Sequence, residues 1–339
     1  MNRIIANKIK VTSMLLFLTV SFLSCKSNLE EGETQTVTSI TRGTNHQLTV
    51  GYFNGIDRIG PEYDLTKVPD RFDIVNIFNQ FKPLWELSRQ PVHAPGATQP
   101  TLPEVLAGVK NLKEKGVKVV QTQFLREFMD NFKDSDHKIN WTNTAADYDG
   151  FAKALRDTLD KWGFDGVDFD VEHEPQCLSK IGYDWQKPNY DRSTWLSTEE
   201  QMGYLNAMAK YFGPNATLPA GKPKKLLILD TNLSFSSLGY SKDLLAKFDY
   251  IYIQSYYGGF DTAFSYTDQN KGPGIAKEKI MLIPADFEVN PKSSNLKNAY
   301  MDPVNGRLVG GFGAYGFNFD QPDYPVFREM IKTLNPTGE

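Results

Sequence analysis

The chain has 339 residues, a length within range for one barrel-type domain. It is 40% hydrophobic and 23% charged with a net charge of -4, the balance of a soluble globular protein, and it gives no sign of nucleic-acid or anionic-membrane binding. Two cysteines, Cys25 and Cys177, exclude a disulfide framework, and the aromatic content of 13% suits sugar rings as well as a large core.

The first residues carry Arg3, Lys8 and Lys10, then an apolar run from Val11 to Leu23. This is the pattern of a secretory leader. Phe22-Leu23-Ser24-Cys25 resembles a bacterial lipoprotein box, so residues 1–24 are expected to be a signal peptide and Cys25 the lipidated first residue of the mature chain. Glu30 and Glu31 resemble export signals that take some lipoproteins to the outer-membrane surface. The expected location is therefore the bacterial cell envelope, through a lipid anchor. Residues 25–46 are rich in Ser, Thr, Glu and Gly, which makes them a flexible tether.

From residue 47 to 339 short apolar strands alternate with helical stretches. Strands are predicted at Leu48–Phe53, Asp73–Phe78, Val117–Phe124, Gly166–Glu172, Lys225–Asp230, Tyr250–Tyr256, Ile280–Pro284 and Leu308–Phe317. Helices are predicted at Pro103–Lys115, Ala145–Trp162, Thr198–Phe212 with Ser197 as its cap, Lys242–Lys247 and Tyr324–Leu334. Eight alternations predict an α/β fold of the (β/α)8 TIM-barrel type, in a single domain. A doubly wound open sheet is the alternative, but no Gly-x-Gly-x-x-Gly follows the first strand. Two long loops, Asn79–Pro103 and Glu174–Thr198, follow the second and fourth strands and carry aromatic residues. In a barrel those loops sit at the active-site end, so an aromatic-lined cleft is expected there.

The fourth strand is the most informative stretch. In Asp165-Gly166-Val167-Asp168-Phe169-Asp170-Val171-Glu172, alternation puts Asp168, Asp170 and Glu172 on one face and Val167, Phe169 and Val171 on the other. Helix-covered barrel strands rarely place acids at alternate positions without a chemical reason. The segment resembles the Asp-Gly-x-Asp-x-Asp-x-Glu signature of glycoside hydrolase family 18. On the sixth strand, Tyr252-Ile253-Gln254-Ser255-Tyr256 resembles the Gln-x-Tyr of that family's endo-β-N-acetylglucosaminidases. The resemblance covers about residues 47–334.

The resemblance implies a retaining hydrolase in which the substrate's own N-acetyl oxygen attacks and forms an oxazolinium ion. Glu172 would be the general acid and base, its pKa raised by Asp170 beside it. Asp170 would orient and stabilise the acetamido nitrogen, and Asp168 would share a proton with Asp170. Tyr256 would bind the acetamido oxygen and Gln254 the reacting sugar. Tyr252, Tyr315, Asp230 and Asn232 are further candidates for sugar contact, with Phe317 an alternative to Tyr315 as the floor of the site. Small residues in Gly310-Gly311-Phe312-Gly313 would admit sugar or backbone closely. Neither metal nor cofactor is implied.

Three departures stand out. The third strand reads Val119-Val120-Gln121-Thr122-Gln123-Phe124, without the family's Ser-x-Gly-Gly, which puts the packing beneath Asp168 in question. The eighth strand lacks the Trp that chitinases commonly place there, and strands seven and eight leave no room for a large insertion domain. These absences favour a compact endo-β-N-acetylglucosaminidase acting on N-linked glycans or glycoproteins. The expected chain is a monomer that meets the membrane through its anchor and binds no nucleic acid. The alternatives are a chitinase and an inactive glycan-binding barrel. His93 reads as polar surface, Cys177 as inert, and His173 and Glu174 as shaping the loop after the acid.

Overall fold

The computed structural model describes residues 46–55, 60–78, 100–124, 145–172, 195–256, 260–289 and 295–336. The leader, Cys25, the tether, His93, His173, Glu174, Cys177 and most of the two long loops lie outside these residues.

Eight strands close into a barrel: β1 (Leu48–Asn54), β2 (Ile74–Phe78), β3 (Lys118–Phe124), β4 (Gly166–Asp170), β5 (Leu226–Thr231), β6 (Tyr250–Gln254), β7 (Ile280–Ile283) and β8 (Gly311–Tyr315). Each runs parallel to both neighbours, and β8 returns to β1. Among the described residues the helices are α1 (Leu102–Glu114), α2 (Ala145–Trp162), α3 (Thr198–Met208), α4 (Phe235–Leu238), α5 (Lys242–Leu245), α6 (Asp261–Thr267), α7 (Asn295–Met301), α8 (Asn305–Leu308) and α9 (Pro325–Leu334). The result is a single (β/α)8 domain.

Local chemistry starts these helices where the polar signals lie. Ser197 accepts a hydrogen bond from the Glu200 amide at 3.2 Å, and Glu200 Oε2 accepts one back from the Ser197 amide at 2.7 Å. Thr101 and Glu104 form the same reciprocal pair at the start of α1. α2 ends at Gly163, whose φ of 79° is open to a residue without a Cβ.

Alternation along the strands divides the apolar residues into two layers. Val167, Phe169, Ile251 and Ile253 face outward and join the large core under the helices. Val50, Ile74, Val120, Ile228, Tyr252, Met281 and Ile283 point inward and fill the barrel. The small residues of β8 serve this inner packing. A Cβ on Gly313 would lie 2.3 Å from the Val50 carbonyl oxygen and 2.5 Å from Val50 Cγ2, so it is the β1 backbone that approaches closely here.

Most differences from the predicted elements are at ends. β8 begins at Gly311 rather than Leu308, because residues 305–308 curl into α8 and the Val309 amide bonds back to the Asn305 carbonyl at 3.1 Å. α3 stops at Met208, and residues 209–212 continue as tight turns. β4 stops at Asp170, so Glu172 stands just beyond the ladder, although the Val171 amide still reaches the Asp230 carbonyl at 2.7 Å.

Candidate active site

The C-terminal ends of β4, β5 and β6 converge on a cavity of about 140 Å³. Asp170, Glu172, Asp230 and Asp286 form its acidic lining, and Phe78, Gln254, Tyr256 and Tyr315 complete it. Register explains the acidic concentration. Asp170 on β4 lies beside Asp230 on β5, which in turn lies beside Tyr252 on β6. Two strands thus deliver their inward carboxylates at the same height.

One amide group ties them together. Gln254 Nε2 donates to Asp170 Oδ1 at 3.0 Å and to Asp230 Oδ2 at 2.9 Å. Both of its N–H bonds are used, so only its carbonyl oxygen is left to meet a sugar. Gln254 is therefore an orienter of Asp170, a role its place in the sequence did not reveal.

Beneath this pair lies Asp168, fully buried. Its Oδ2 accepts from Tyr52 Oη at 2.8 Å, Asn76 Nδ2 at 2.9 Å and Thr122 Oγ1 at 3.1 Å. These donors come from β1, β2 and β3. Thr122 answers the question raised by the missing Ser-x-Gly-Gly, because its hydroxyl supplies a donor beneath Asp168. Among the described residues, neither Asp168 Oδ1 nor Asp230 Oδ1 has a hydrogen-bond donor.

The electrostatics favour the neutral form of these acids. Burial, partly offset by the bonds from Tyr52, Asn76 and Thr122, lifts Asp168 from 3.8 to about 6. Burial, then the charges of Asp230, Glu172 and Asp168, push Asp170 well above its ordinary value. Asp230 is pushed well up as well, chiefly by burial and then by Asp168. Three adjacent buried acids cannot all be ionised near neutral pH. Burial and the neighbouring Asp230 and Asp170 hold the Tyr256 phenol well above 10, so it remains a neutral donor.

A pH prediction follows from Asp168. Its folded value lies above its unfolded one, so its contribution to stability is fully present below about pH 4 and is lost as pH rises through about 6. The rise from 3.8 to about 6 corresponds to about 3 kcal/mol. Urea midpoints measured between pH 4 and 7 should therefore fall more steeply with pH for the wild type than for Asp168→Asn. Equal slopes would show that Asp168 carries no such proton.

The remaining candidates separate by depth. Tyr256 and Tyr315 reach the cavity. Tyr252 shares their inward face but is fully buried in the inner barrel layer, with its ring edge-on to Tyr52 at 6.1 Å, and it is not part of the lining. Asn232 is exposed beyond the end of β5 and does not join the lining. Phe317 is buried against Phe72 and Phe327, outside the cavity.

The structure also adds residues. Tyr52, Asn76 and Thr122 act through Asp168. Asp286 lines the cavity, its carboxylate accepting from the backbone amides of Glu288 at 2.9 Å and Val289 at 3.2 Å. Glu288 accepts from Asn54 Nδ2 at 2.6 Å, and burial followed by the charge of Glu288 pushes the Tyr315 phenol up. Among the described residues, no group of three or more His, Cys, Asp or Glu is arranged to hold a metal ion.

A closed parallel barrel with a row of acids at the C-terminal end of β4 is the architecture of a glycoside hydrolase, and its homologues are glycoside hydrolases. The model of the endo-β-N-acetylglucosaminidase EndoS TIM-barrel domain matches residues 56–302, so the chain belongs to that family. A relative from Flavobacterium sp., an endo-β-N-acetylglucosaminidase, is 25% identical over 274 residues, which cover 80% of this chain and 74% of the relative. Two solved structures share the fold. The endo-β-N-acetylglucosaminidase from Cordyceps militaris has a TM-score of 0.55 at 22% identity, over 86% of this chain and 92% of the other. A family 18 chitinase from Pseudoalteromonas aurantia has a TM-score of 0.51 at 14% identity, over 84% and 99%.

Proposed function

We propose that the protein cleaves the β-1,4 bond of the N,N′-diacetylchitobiose core of N-linked glycans, with retention, by substrate-assisted catalysis. The observation that carries this reading is the composition of the cavity. Asp170, Glu172 and Tyr256 share it, while its fourth carboxylate, Asp286, is engaged by two backbone amides. With Asp170 and Asp230 tied to Gln254, the nucleophile is best supplied by the substrate's acetamide.

In the first step the acetamido carbonyl oxygen bonds to the anomeric carbon as the glycosidic bond breaks, and Glu172 gives its proton to the leaving oxygen. Asp170 accepts from the acetamido N–H and balances the oxazolinium charge, and the Tyr256 hydroxyl donates to the acetamido oxygen. In the second step Glu172, now a carboxylate, takes a proton from water as that water attacks the anomeric carbon, and the bond from this carbon to the acetamido oxygen breaks, which restores the acetamide. Two inversions give net retention.

The family membership and the name of the Flavobacterium relative support this substrate over chitin. We further propose that Cys25 is acylated and holds the enzyme on the bacterial envelope, with Glu30 and Glu31 directing it to the outer-membrane surface, and that the enzyme acts as a monomer. The supporting observation is the basic, apolar and Cys25 order of the leader.

Mass spectrometry of a defined N-glycoprotein after digestion is the test. The expected result is a protein retaining one N-acetylhexosamine and a released glycan ending in one. Cleavage of chitin oligosaccharides alone would make the enzyme a chitinase, and no cleavage of either would favour the binding-protein reading. The same method applied to the mature N-terminus should find a diacylglyceryl group on Cys25.

A further inference from the structure

A second cavity, of about 510 Å³, opens at the N-terminal end of the barrel, away from the active site. It lies between the turn leading into β2 and the second half of α9. Lys67, Arg71, Lys115, Arg328 and Lys332 line it, with Asp70 as the single carboxylate. In a chain of net charge -4 this is a local concentration of cations, which is why the overall balance gave no sign of it.

Among the described residues, only some of these charges are neutralised. Lys67 pairs with Asp64 at 3.9 Å and Lys115 with Asp70 at 3.4 Å. Arg328 donates through Nε to the Asp323 carbonyl, which leaves its two terminal nitrogens available. Among the described residues, Arg71 and Lys332 have no ion pair. Arg71 also holds a φ of 79°, a region that disfavours any residue with a Cβ, and a hydrogen bond from Thr49 Oγ1 to its carbonyl at 3.1 Å fixes it there.

The groove also adjoins the point where the N-terminal segment joins the barrel. Asn335, three residues after Lys332, donates to the Gln47 carbonyl at 3.1 Å, and His46 bonds Asp73, two residues after Arg71, at 3.0 Å. Both walls of the groove are thus tied to residues 46 and 47. Only the twenty residues from Lys26 to Asn45 separate Cys25 from residue 46. An anchor at Cys25 would keep this face within reach of a bilayer.

We propose that this groove is a docking face for anionic membrane, taking the phosphate groups of lipid headgroups. The barrel then rests on its N-terminal end, and the active-site end, on the opposite side, faces incoming glycoprotein. The geometry rests on the anchoring reading above; the charge complementarity does not. Each basic residue near an anionic surface strengthens binding about fivefold, so the three unpaired cations give on the order of 100-fold together.

The test is sedimentation of the full mature chain with phosphatidylcholine vesicles, with and without about one third phosphatidylglycerol. The wild type should prefer the anionic vesicles by on the order of 100-fold, and lose that preference in about 1 M salt, where the Debye length is about 3 Å. The variant R71Q/R328Q/K332Q should lose the preference while hydrolysing soluble glycoprotein at the wild-type rate, which shows that it is folded. Equal binding to both vesicles by the wild type, or an undiminished preference in the variant, overturns the proposal. So does saturable binding of inorganic phosphate alone without any vesicle preference, which would mark a small-anion site. If Cys25 is not acylated, both proteins lose binding to neutral vesicles while the wild-type anionic preference persists, so the two failures are distinguishable.

Discussion

Glu172→Gln is expected to lower kcat by on the order of 10² to 10⁴-fold while glycan affinity stays within a few-fold. The amide keeps the shape of the carboxylate, so the sugar still finds its place beside Asp170, Tyr256 and Tyr315 in the cavity. What it removes is the proton for the leaving oxygen and, in the second step, the base that takes the proton from water. Both steps fail together, so a release assay should show little free glycan while calorimetry with an intact glycopeptide still shows binding. Turnover near the wild-type rate would remove Glu172 from the acid role and turn attention to the other carboxylates of the cavity.

Asp170→Asn is expected to lower kcat by on the order of 10² to 10³-fold, the range for losing one preorganised electrostatic contact with a developing charge. The carboxylate sits among three acids, so its removal changes more than one contact. Its charge, together with that of Asp230, sets the local field, and Glu172 acts on it in turn. In the variant Gln254 can still donate to the amide oxygen, so the geometry at 3.0 Å is kept and the loss is of charge. The acetamido N–H would face a neutral amide, and the oxazolinium would lose its counter-charge. Measuring kcat by release of glycan from a defined glycoprotein, with glycan affinity followed alongside, checks this. Turnover near the wild-type rate would mean that Asp170 neither orients the acetamide nor balances the oxazolinium charge.

Both predictions concern residues that could be found by reading along one strand. Alternation alone puts Asp168, Asp170 and Glu172 on a common face, and the same period on β6 aligns Gln254 and Tyr256. The helix start at Ser197 was also legible, since a capping box is written within four residues. Short helices such as α4, α7 and α8 were not. Four to seven residues are too few to display a 3.6-residue period against the surrounding loops.

The environment of Asp168 was less legible. Its three donors stand 116, 92 and 46 residues away, and only closure of the sheet brings β1, β2 and β3 against β4. Asn76, a lone polar residue within Ile74-Val75-Asn76-Ile77-Phe78, was the one signal available, since an amide inside an apolar strand needs a partner. Tyr52 and Thr122 looked like ordinary strand residues.

Alternation along the chain therefore sets the eight strands, the face on which each strand residue lies, and the acid row on β4, while closure into a barrel belongs to the fold. These are set by local chain geometry, whose period of two is the same wherever the strand is placed. Only the tertiary structure decided depth and neighbours. Tyr252 and Gln254 share a face, yet one is packed in the inner layer and the other joins Asp170 to Asp230. Asp230 lines the cavity while Asn232, two residues on, is left outside it. The physical reason is register. How far each strand is shifted along its neighbour sets the height at which a side chain emerges, and that shift is settled only when all eight strands close together.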